Sequence, residues 1–180
     1  AQRRQAETLL RAGRLQLVTA GWVMNDEGTT HVASIVLQLT EGHEWLHAHL
    51  PAVRITHAWS VDPFGHSSTQ PYLYALAGFD GMLVQRVHYA VKRLLAARQQ
   101  LEFWWRPVWR RDARHDMLTH MMPFYSYDMP HSCGPEPDVC AQFEFRKPRS
   151  AWGTRAEPIS PANVAAKAAL LLDQYRKKDT

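Results

Sequence analysis

Hydrophobic positions recur with two different spacings along the chain, and their alternation predicts the order of strands and helices. Short apolar or alternating runs predict strands at 15–19, 53–61, 82–87, 101–105 and 117–122. Apolar positions three or four residues apart predict helices over the first dozen residues, at 30–50, from Ser67 or Ser68 to Gly78, at 90–97 and from Ser160 to Lys178. Strands and helices therefore take turns along most of the chain.

This alternation predicts an α/β fold built on parallel strands. In such folds, functional side chains gather beyond the carboxyl ends of the strands. Asp62 follows the predicted strand at 53–61, so it belongs to that edge. Small residues mark the helix boundaries: Gly42 should interrupt the second helix, and Ser160 should be the N-cap of the last one.

Composition narrows the range of functions. The chain has 180 residues, 46% hydrophobic and 21% charged, which is ordinary for a folded domain and excludes a wholly disordered chain. No stretch approaches the ~18 uncharged apolar residues of a membrane span. The 21 basic and 17 acidic residues are interspersed, so the net charge of +4 does not favour nucleic-acid binding. The seven Trp and ten His are unusually many for this length. Trp is typical of large cores and of sugar-stacking sites, and His is typical of metal sites and acid–base catalysis.

The two cysteines, Cys133 and Cys140, bracket a stretch that contains glycine and two prolines. Such a stretch forms a turn that brings the two sulfurs within bonding distance. The spacing therefore predicts a small disulfide loop, which fits an oxidising compartment. Two free cysteines, or half of a metal site, are the alternatives, although the spacing is not that of a zinc ribbon.

Two segments and one arginine carry candidate chemistry. Asp62, held by the following proline, is placed to project a carboxylate into a cleft as nucleophile, base or metal ligand, or else to cap its own loop. The cluster at 120–128 sets aromatic rings beside a carboxylate, as sugar sites do, although a hydrophobic strand end has a similar composition. Arg86, near the end of its strand, is either a clamp for a polar ligand or a structural ion-pair partner.

A zinc-protease pattern is also present. His43 and His47 flank Glu44 in an HExxH run, in which two His one helical turn apart would hold zinc and Glu would act as base. A metzincin would need a glycine and a third His soon afterwards, but Leu50 and Val53 stand at those spacings. The alternative is an exposed helix end with one anchoring tryptophan.

Four runs of the sequence resemble glycoside hydrolase family 38 α-mannosidases, and the resemblance extends in order from about Gly13 to Lys178. The runs are GWVMNDE at 21–27, VDPFGHS at 61–67, THMMPFYSYD at 119–128 and PHSCGP at 130–135, continuing to Cys140. The last of them resembles the Golgi α-mannosidase II branch of the family. Each run is long and specific.

The resemblance implies a large parallel-stranded α/β catalytic domain with one zinc ion. It implies a retaining exo-mannosidase that trims α1,3- and α1,6-linked mannose from N-glycans in the Golgi lumen. Asp62 would be both the nucleophile and a zinc ligand. The mannose pocket would be lined by Phe64, Arg86, Tyr127 and Asp128, with Tyr125 and His131 holding the GlcNAc or neighbouring sugars.

From the same resemblance we expect residues 1–180 to be an internal segment of that catalytic domain. The family's His-x-Asp zinc ligands belong upstream, its general acid lies in a Gly-Asp-Asp-Phe run just beyond Lys178, and its last zinc-binding His lies further downstream. The chain would then supply a single zinc ligand, and it would be inactive alone. Any membrane anchor would lie outside it.

The chain departs from the family at several positions. Ala20 stands where the family usually has a glycine, and Ala141 stands where a second cysteine often follows Cys140. The partner of that second cysteine is missing from 147–158, which puts the sugar contacts of that loop in doubt. A second hypothesis is therefore a degenerate mannose-binding relative without catalysis, and a zinc protease through His43 and His47 is a third.

Overall fold

The described residues form one four-stranded sheet in which three strands run parallel. The computed structural model describes residues 2–129, 132–144 and 156–177. The strands are β1 (His57–Ser60), β2 (Gly81–Val84), β3 (Glu102–Trp105) and β4 (Met117–Met121), in the spatial order β1-β2-β4-β3. β1 and β4 both pair parallel with β2, whereas β3 pairs antiparallel with β4 at one edge. The predicted α/β class with mainly parallel strands is confirmed.

Helices occupy most of the connections. They are α1 (Gln2–Arg11), α2 (Val32–His49), α3 (Thr69–Leu76), α4 (Tyr89–Ala97), the single turn α5 (Pro137–Cys140), a 3-10 turn (Ala141–Phe143) and α6 (Val164–Arg176). The first helix stays within the predicted first dozen residues, and Gly13 follows it with a φ of +66° in the left-handed region that favours glycine. α2 and α4 each begin after a histidine, His31 or His88, whose Nδ1 accepts a backbone N–H two residues later at 3.2 Å. These side chains satisfy amides that a helix start leaves unpaired.

The core lies against the sheet and holds the strands in register. Its buried members are Ala58, Tyr74, Phe79, Met82, Val84, Met117 and Met121. They come from β1, β2, β4, α3 and the turn after α3. Burial of a large apolar side chain contributes roughly 1.5–3 kcal/mol, so this cluster stabilises strands of only four or five residues.

The predicted strand at 15–19 is wrong. Its last residue, Thr19, makes two hydrogen bonds to β1. The Thr19 amide donates to His57 O at 2.8 Å, and the Thr19 hydroxyl accepts from the Trp59 amide at 2.6 Å. Thr19 and Ala20 then take φ values of 57° and 59°, which turn the backbone out of the extended conformation. A side-chain hydroxyl thus replaces part of the strand ladder.

Two predicted helix boundaries are also wrong. Gly42 does not interrupt α2; it lies buried within the helix, where a Cβ would come within 2.1 Å of Ala20 O. Ser160 is not the N-cap of α6, which begins at Val164 after Asn163. The Asn163 Oδ1 instead accepts the Ser160 amide at 2.8 Å, which closes a turn ahead of the helix.

The cysteine prediction is confirmed. Cys133 and Cys140 form a disulfide, with Cα atoms 5.6 Å apart, and both residues are fully buried. The loop packs closely on α6, since a Cβ on Gly134 would lie 2.5 Å from Gln174 Cβ. Over the described part of the chain, no helix has both the length and the hydrophobicity needed to cross a membrane.

Candidate active site

Three strands deliver their following loops to one edge of the sheet. Ser60 at the end of β1 pairs with Val84 at the end of β2, and Val84 pairs with Met121 at the end of β4. Asp62 and Arg86 therefore each stand two residues beyond the same level of the sheet. The loop after β4 carries Tyr127 to the same place.

Asp62 is held through one of its two carboxylate oxygens. Arg86 donates to Oδ1 from Nε at 2.9 Å and from Nη2 at 2.6 Å, and the Tyr127 hydroxyl donates to the same atom at 2.8 Å. The hydrogen bond from Arg86, followed by that from Tyr127, lowers the pKa of Asp62 below its ordinary value. The side chain is about half exposed, at 52%. An ionised, accessible carboxylate of this kind can act as a nucleophile or bind a cation.

Arg86 also contacts two aromatic rings. Its Cζ lies 5.7 Å from the ring centroid of Phe64 and 5.9 Å from that of Tyr127. These distances are within the range of cation–π attraction. Phe64 itself is 78% exposed, so most of its ring is open to a ligand. The structure thus brings together four of the sequence-predicted site residues, namely Asp62, Phe64, Arg86 and Tyr127.

The other predicted residues lie in or near the same loop. Tyr125 and Asp128 are both exposed in the segment that follows β4, on either side of Tyr127. His131 lies outside the described residues. Exposed aromatic and carboxylate groups that alternate along one loop can offer both ring faces and hydrogen-bond acceptors to a polar ligand.

A buried lysine anchors this loop. Lys92 on α4 donates from Nζ to Phe124 O at 2.8 Å and to Gln85 Oε1 at 3.0 Å, and Gln85 Nε2 donates to the same Phe124 O at 3.0 Å. Lys92 and Gln85 are 7% and 1% exposed. Burial lowers the pKa of Lys92 to about 8. Sequence reasoning assigned no role to either residue, because their common partner lies more than thirty residues further along the chain.

A buried glutamate lies beneath the Asp62 loop. Glu27 accepts hydrogen bonds from Ser60 Oγ at 2.8 Å and from the Ser67 amide at 2.8 Å, and His66 Nδ1 lies 3.4 Å from its Oε1. This interaction with Glu27 raises the pKa of His66. Sequence reasoning missed both side chains, although each stands in a run that carries the family resemblance. The run of Glu27 offered only an acidic pair, Asp26 and Glu27, and an acidic pair does not indicate burial.

The HExxH residues do not form a metal centre in the described part of the chain. His43 and His47 both lie on α2, but the His43 Nε2 is 2.8 Å from Thr19 O, and its ring packs against Phe79 at 5.8 Å. No group of three or more His, Cys, Asp or Glu that could hold a metal occurs among the described residues. The motif therefore gains no third ligand from them.

The fit to zinc can be tested on Asp62. No described residue donates a hydrogen bond to its Oδ2, and a carboxylate oxygen is an ordinary zinc ligand. A zinc ion needs about four ligands in total. Asp62 therefore fits as one donor, and the remaining donors would have to come from outside the described ranges.

Comparison with known proteins places this site in a family. The N-terminal domain of glycosyl hydrolases family 38 matches residues 1–180. Alpha-mannosidase 2 of Rattus norvegicus is 51% identical over 177 residues, which cover 96% of this chain and 15% of that protein. Alpha-mannosidase 2 of Drosophila melanogaster is 48% identical over 179 residues, covering 97% and 16%. Epididymis-specific alpha-mannosidase of Homo sapiens is 36% identical over 183 residues, covering 98% and 18%.

The chain thus spans 15–18% of the length of these relatives. The family match covers residues 1–180, so it includes every element that surrounds Asp62. A match across all 180 residues and identities of this size lead to one conclusion: the chain belongs to glycosyl hydrolase family 38.

Proposed function

We propose that the protein carrying this chain is a retaining α-mannosidase and that Asp62 is its nucleophile. The observation that carries the proposal is the Asp62 carboxylate, which Arg86 and Tyr127 hold at the common edge of three parallel strands. Membership of family 38 and the α-mannosidase names of the relatives support the same reaction. In this proposal residues 1–180 form part of a longer catalytic domain.

Retention of configuration requires two carboxyl groups about 5 Å apart across the sugar. In the first step, an Asp62 oxygen forms a bond to the anomeric carbon while the glycosidic C–O bond breaks, and a general acid protonates the leaving oxygen. In the second step, water attacks the anomeric carbon and gives a proton to that same acid, and the bond to Asp62 breaks. By resemblance, the general acid is expected just beyond Lys178.

The three hydrogen-bond donors on Oδ1 determine which oxygen of Asp62 is available to the sugar. Because Arg86 and Tyr127 both bond Oδ1, the carboxylate plane is fixed and Oδ2 remains the freer atom. Arg86 also keeps the carboxylate ionised, as the lowered pKa of Asp62 indicates. A pre-oriented anion costs little reorganisation when positive charge develops on the sugar.

We assign one zinc ion to the site, with Asp62 as one of its ligands. When bound, zinc would hold sugar hydroxyls and help to distort the ring. The identity of the metal rests on the family resemblance and on the suitability of a carboxylate oxygen as a donor.

The proposed substrate is a mannose-containing N-glycan. Phe64 offers an open ring face to the C–H surface of a sugar, and Arg86, Tyr127 and Asp128 offer polar groups to its hydroxyls. Tyr125 and His131 are assigned to a neighbouring sugar by resemblance. Specificity for α1,3- and α1,6-linked mannose is likewise assigned by resemblance to the family. A location in the Golgi lumen is consistent with the Cys133–Cys140 disulfide, since disulfides persist in oxidising compartments.

The direct test replaces the nucleophile in the protein that carries this chain. Asp62→Asn should lower the kcat for mannose release from an aryl α-mannoside by at least about 1,000-fold, because an amide cannot form the glycosyl–enzyme bond. Asp80→Asn is the matched control, since Asp80 is an exposed aspartate directly before β2. Equal turnover by the two variants would exclude Asp62 as nucleophile. Mannose binding without turnover by the unaltered protein would favour the non-catalytic alternative.

A further inference from the structure

Glu27 is the most deeply buried carboxylate near the site, and its hydrogen-bond partners all lie in the Asp62 loop or directly before it. Its side chain is 1% exposed. Oε1 accepts from the Ser60 hydroxyl, Oε2 accepts from the Ser67 amide, and His66 approaches Oε1. Ser60 precedes Asp62 by two residues and Ser67 follows it by five. One carboxylate therefore ties together both ends of the segment that carries Asp62.

His66 extends this connection to the residue that holds Asp62. Its Nδ1 faces the Glu27 carboxylate at 3.4 Å, and its Nε2 lies 3.1 Å from the backbone carbonyl of Arg86. Both partners are acceptors, so the ring serves both when each nitrogen carries a proton. His66 is 13% exposed on its side chain, which protects these contacts from water. The chain of contacts runs from Glu27 through His66 to Arg86, and from Arg86 to Asp62.

Stability alone does not account for a carboxylate in this position. Burying a charge costs desolvation energy, and apolar residues of similar volume often stabilise a protein equally well or better. What an apolar residue cannot do is accept hydrogen bonds from two points on either side of a loop. The distinctive contribution of Glu27 is therefore the fixed geometry of the loop.

We propose that Glu27 is a positioning residue that fixes the 60–67 loop and, through His66, the Arg86 backbone, so that Asp62 is aimed at the sugar. This inference rests on the proposed function of Asp62. Glu27 touches neither Asp62 nor the proposed sugar pocket in the contacts described. Its effect on turnover would pass entirely through the residues that it holds.

The test uses Glu27→Gln, Glu27→Asp and Thr119→Val in the protein that carries this chain. Glutamine keeps the volume of Glu27 but loses its charge and one acceptor. Aspartate keeps the charge but is one methylene shorter. Thr119→Val is the matched control, because Thr119 is fully buried in β4. This substitution removes one hydrogen bond, to Met117 O, which lies outside the segments that carry Asp62 and Arg86.

We expect Glu27→Gln to lower kcat for the aryl mannoside by about 10- to 100-fold, with KM changed by less than about threefold, since small misplacements of a reacting group cost factors of this size. Glu27→Asp should restore part of the lost kcat. Thr119→Val should lower the melting temperature without lowering kcat at a temperature where it is folded. A loss of kcat in Thr119→Val as large as that in Glu27→Gln would overturn the proposal.

A second readout keeps this inference separable from the proposed function. Hydrogen exchange of the Ser67 amide, whose N–H bonds Glu27 Oε2, should be faster in Glu27→Gln than in the unaltered protein, and the β4 amides should not change. If the unaltered protein releases no mannose, the proposed function fails and the aim at the sugar fails with it, whereas the exchange result still decides whether Glu27 holds the 60–67 loop. Unchanged exchange at Ser67 would overturn it.

Discussion

Arg86 donates two hydrogen bonds to a single oxygen of Asp62, at 2.9 Å from Nε and 2.6 Å from Nη2. A guanidinium more often engages both oxygens of a carboxylate. Here the second oxygen is left without a donor among the described residues. Arg86 therefore orients the carboxylate as well as neutralising it, and the two carboxylate oxygens of Asp62 have different environments.

This geometry predicts the effect of Arg86→Lys on mannose release. Lysine keeps the charge but presents a single compact ammonium, so it cannot reproduce the two donors or the contacts with two rings. We expect kcat/KM to fall by about 10- to 100-fold, corresponding to the roughly 1.5–3 kcal/mol of a hydrogen bond to a charged group. Arg93→Lys, at an exposed position of α4, should leave kcat/KM unchanged. Equal rates in both variants would contradict the assigned role of Arg86.

Ala20 predicts a stabilising substitution. Its φ of 59° lies in the left-handed region, where an alanine costs roughly 1–2 kcal/mol. Ala20→Gly removes that cost but adds about 0.4–1 kcal/mol of unfolded-state entropy, so the net gain should be about 0.5–1 kcal/mol in the free energy of unfolding. The midpoint of thermal unfolding should rise. Ala96→Gly, in α4 with ordinary helical geometry, should lower it instead.

Lys92 predicts a pH dependence of stability. Its folded pKa of about 8 lies below the unfolded value of 10.5, so between these values the unfolded chain binds more protons than the folded one. The free energy of unfolding should therefore rise with pH across this window, by up to about 3 kcal/mol from this group. The groups that face the ammonium are neutral: the Gln85 amide oxygen and the Phe124 carbonyl.

The measurement is the difference in unfolding free energy between the unaltered protein and Lys92→Met, from urea titrations at pH 7 to 10.5. As pH rises, the free energy of unfolding of the unaltered protein should increase relative to that of Lys92→Met. Arg98→Met, at the exposed end of the same helix, provides the control, and its difference should stay flat. A flat difference for Lys92→Met would show that the lysine is not desolvated.

The disulfide predicts a loss of stability when it is removed. Cys133 and Cys140 close a small loop with a sequence separation of 7. Chain-entropy arguments give about 2–3 kcal/mol for a loop of this size. The double substitution to alanine should lower the free energy of unfolding by that amount and should speed hydrogen exchange at the Glu136 amide, which donates to Gln174. Unaltered exchange there would mean that packing on α6 holds the loop without the bond.

The sequence patterns located the strands around the site because each strand is a local apolar run. β1, β3 and β4 fall within predicted strands, and β2 begins one residue before the predicted one, although the paired segments are shorter. Two of the three failures involve contacts with distant residues. At Thr19 a hydroxyl meets β1 forty residues away, and Gly42 is glycine because Ala20 O approaches it from another segment.

The candidate site shows the same division. Asp62, Phe64 and Tyr127 stand in conspicuous runs, so sequence reasoning could select them. Glu27 and Lys92 could not be selected, because their roles depend on partners 32–40 residues away. The role of a buried polar residue depends on its neighbours in the folded chain. The local spacing of residues in the sequence does not reveal those neighbours.

The double attachment of Glu27 has a consequence for how this part of the chain can evolve. Surface loops ordinarily tolerate insertions and deletions well, because their ends can separate or close at little cost. Here Ser60 and Ser67 are bound to the same side chain, so the distance between the two ends of the segment is set by the reach of one carboxylate. An insertion or deletion within 61–66 would have to keep that distance and the placement of Asp62 and His66, so we expect the length of this segment to vary little.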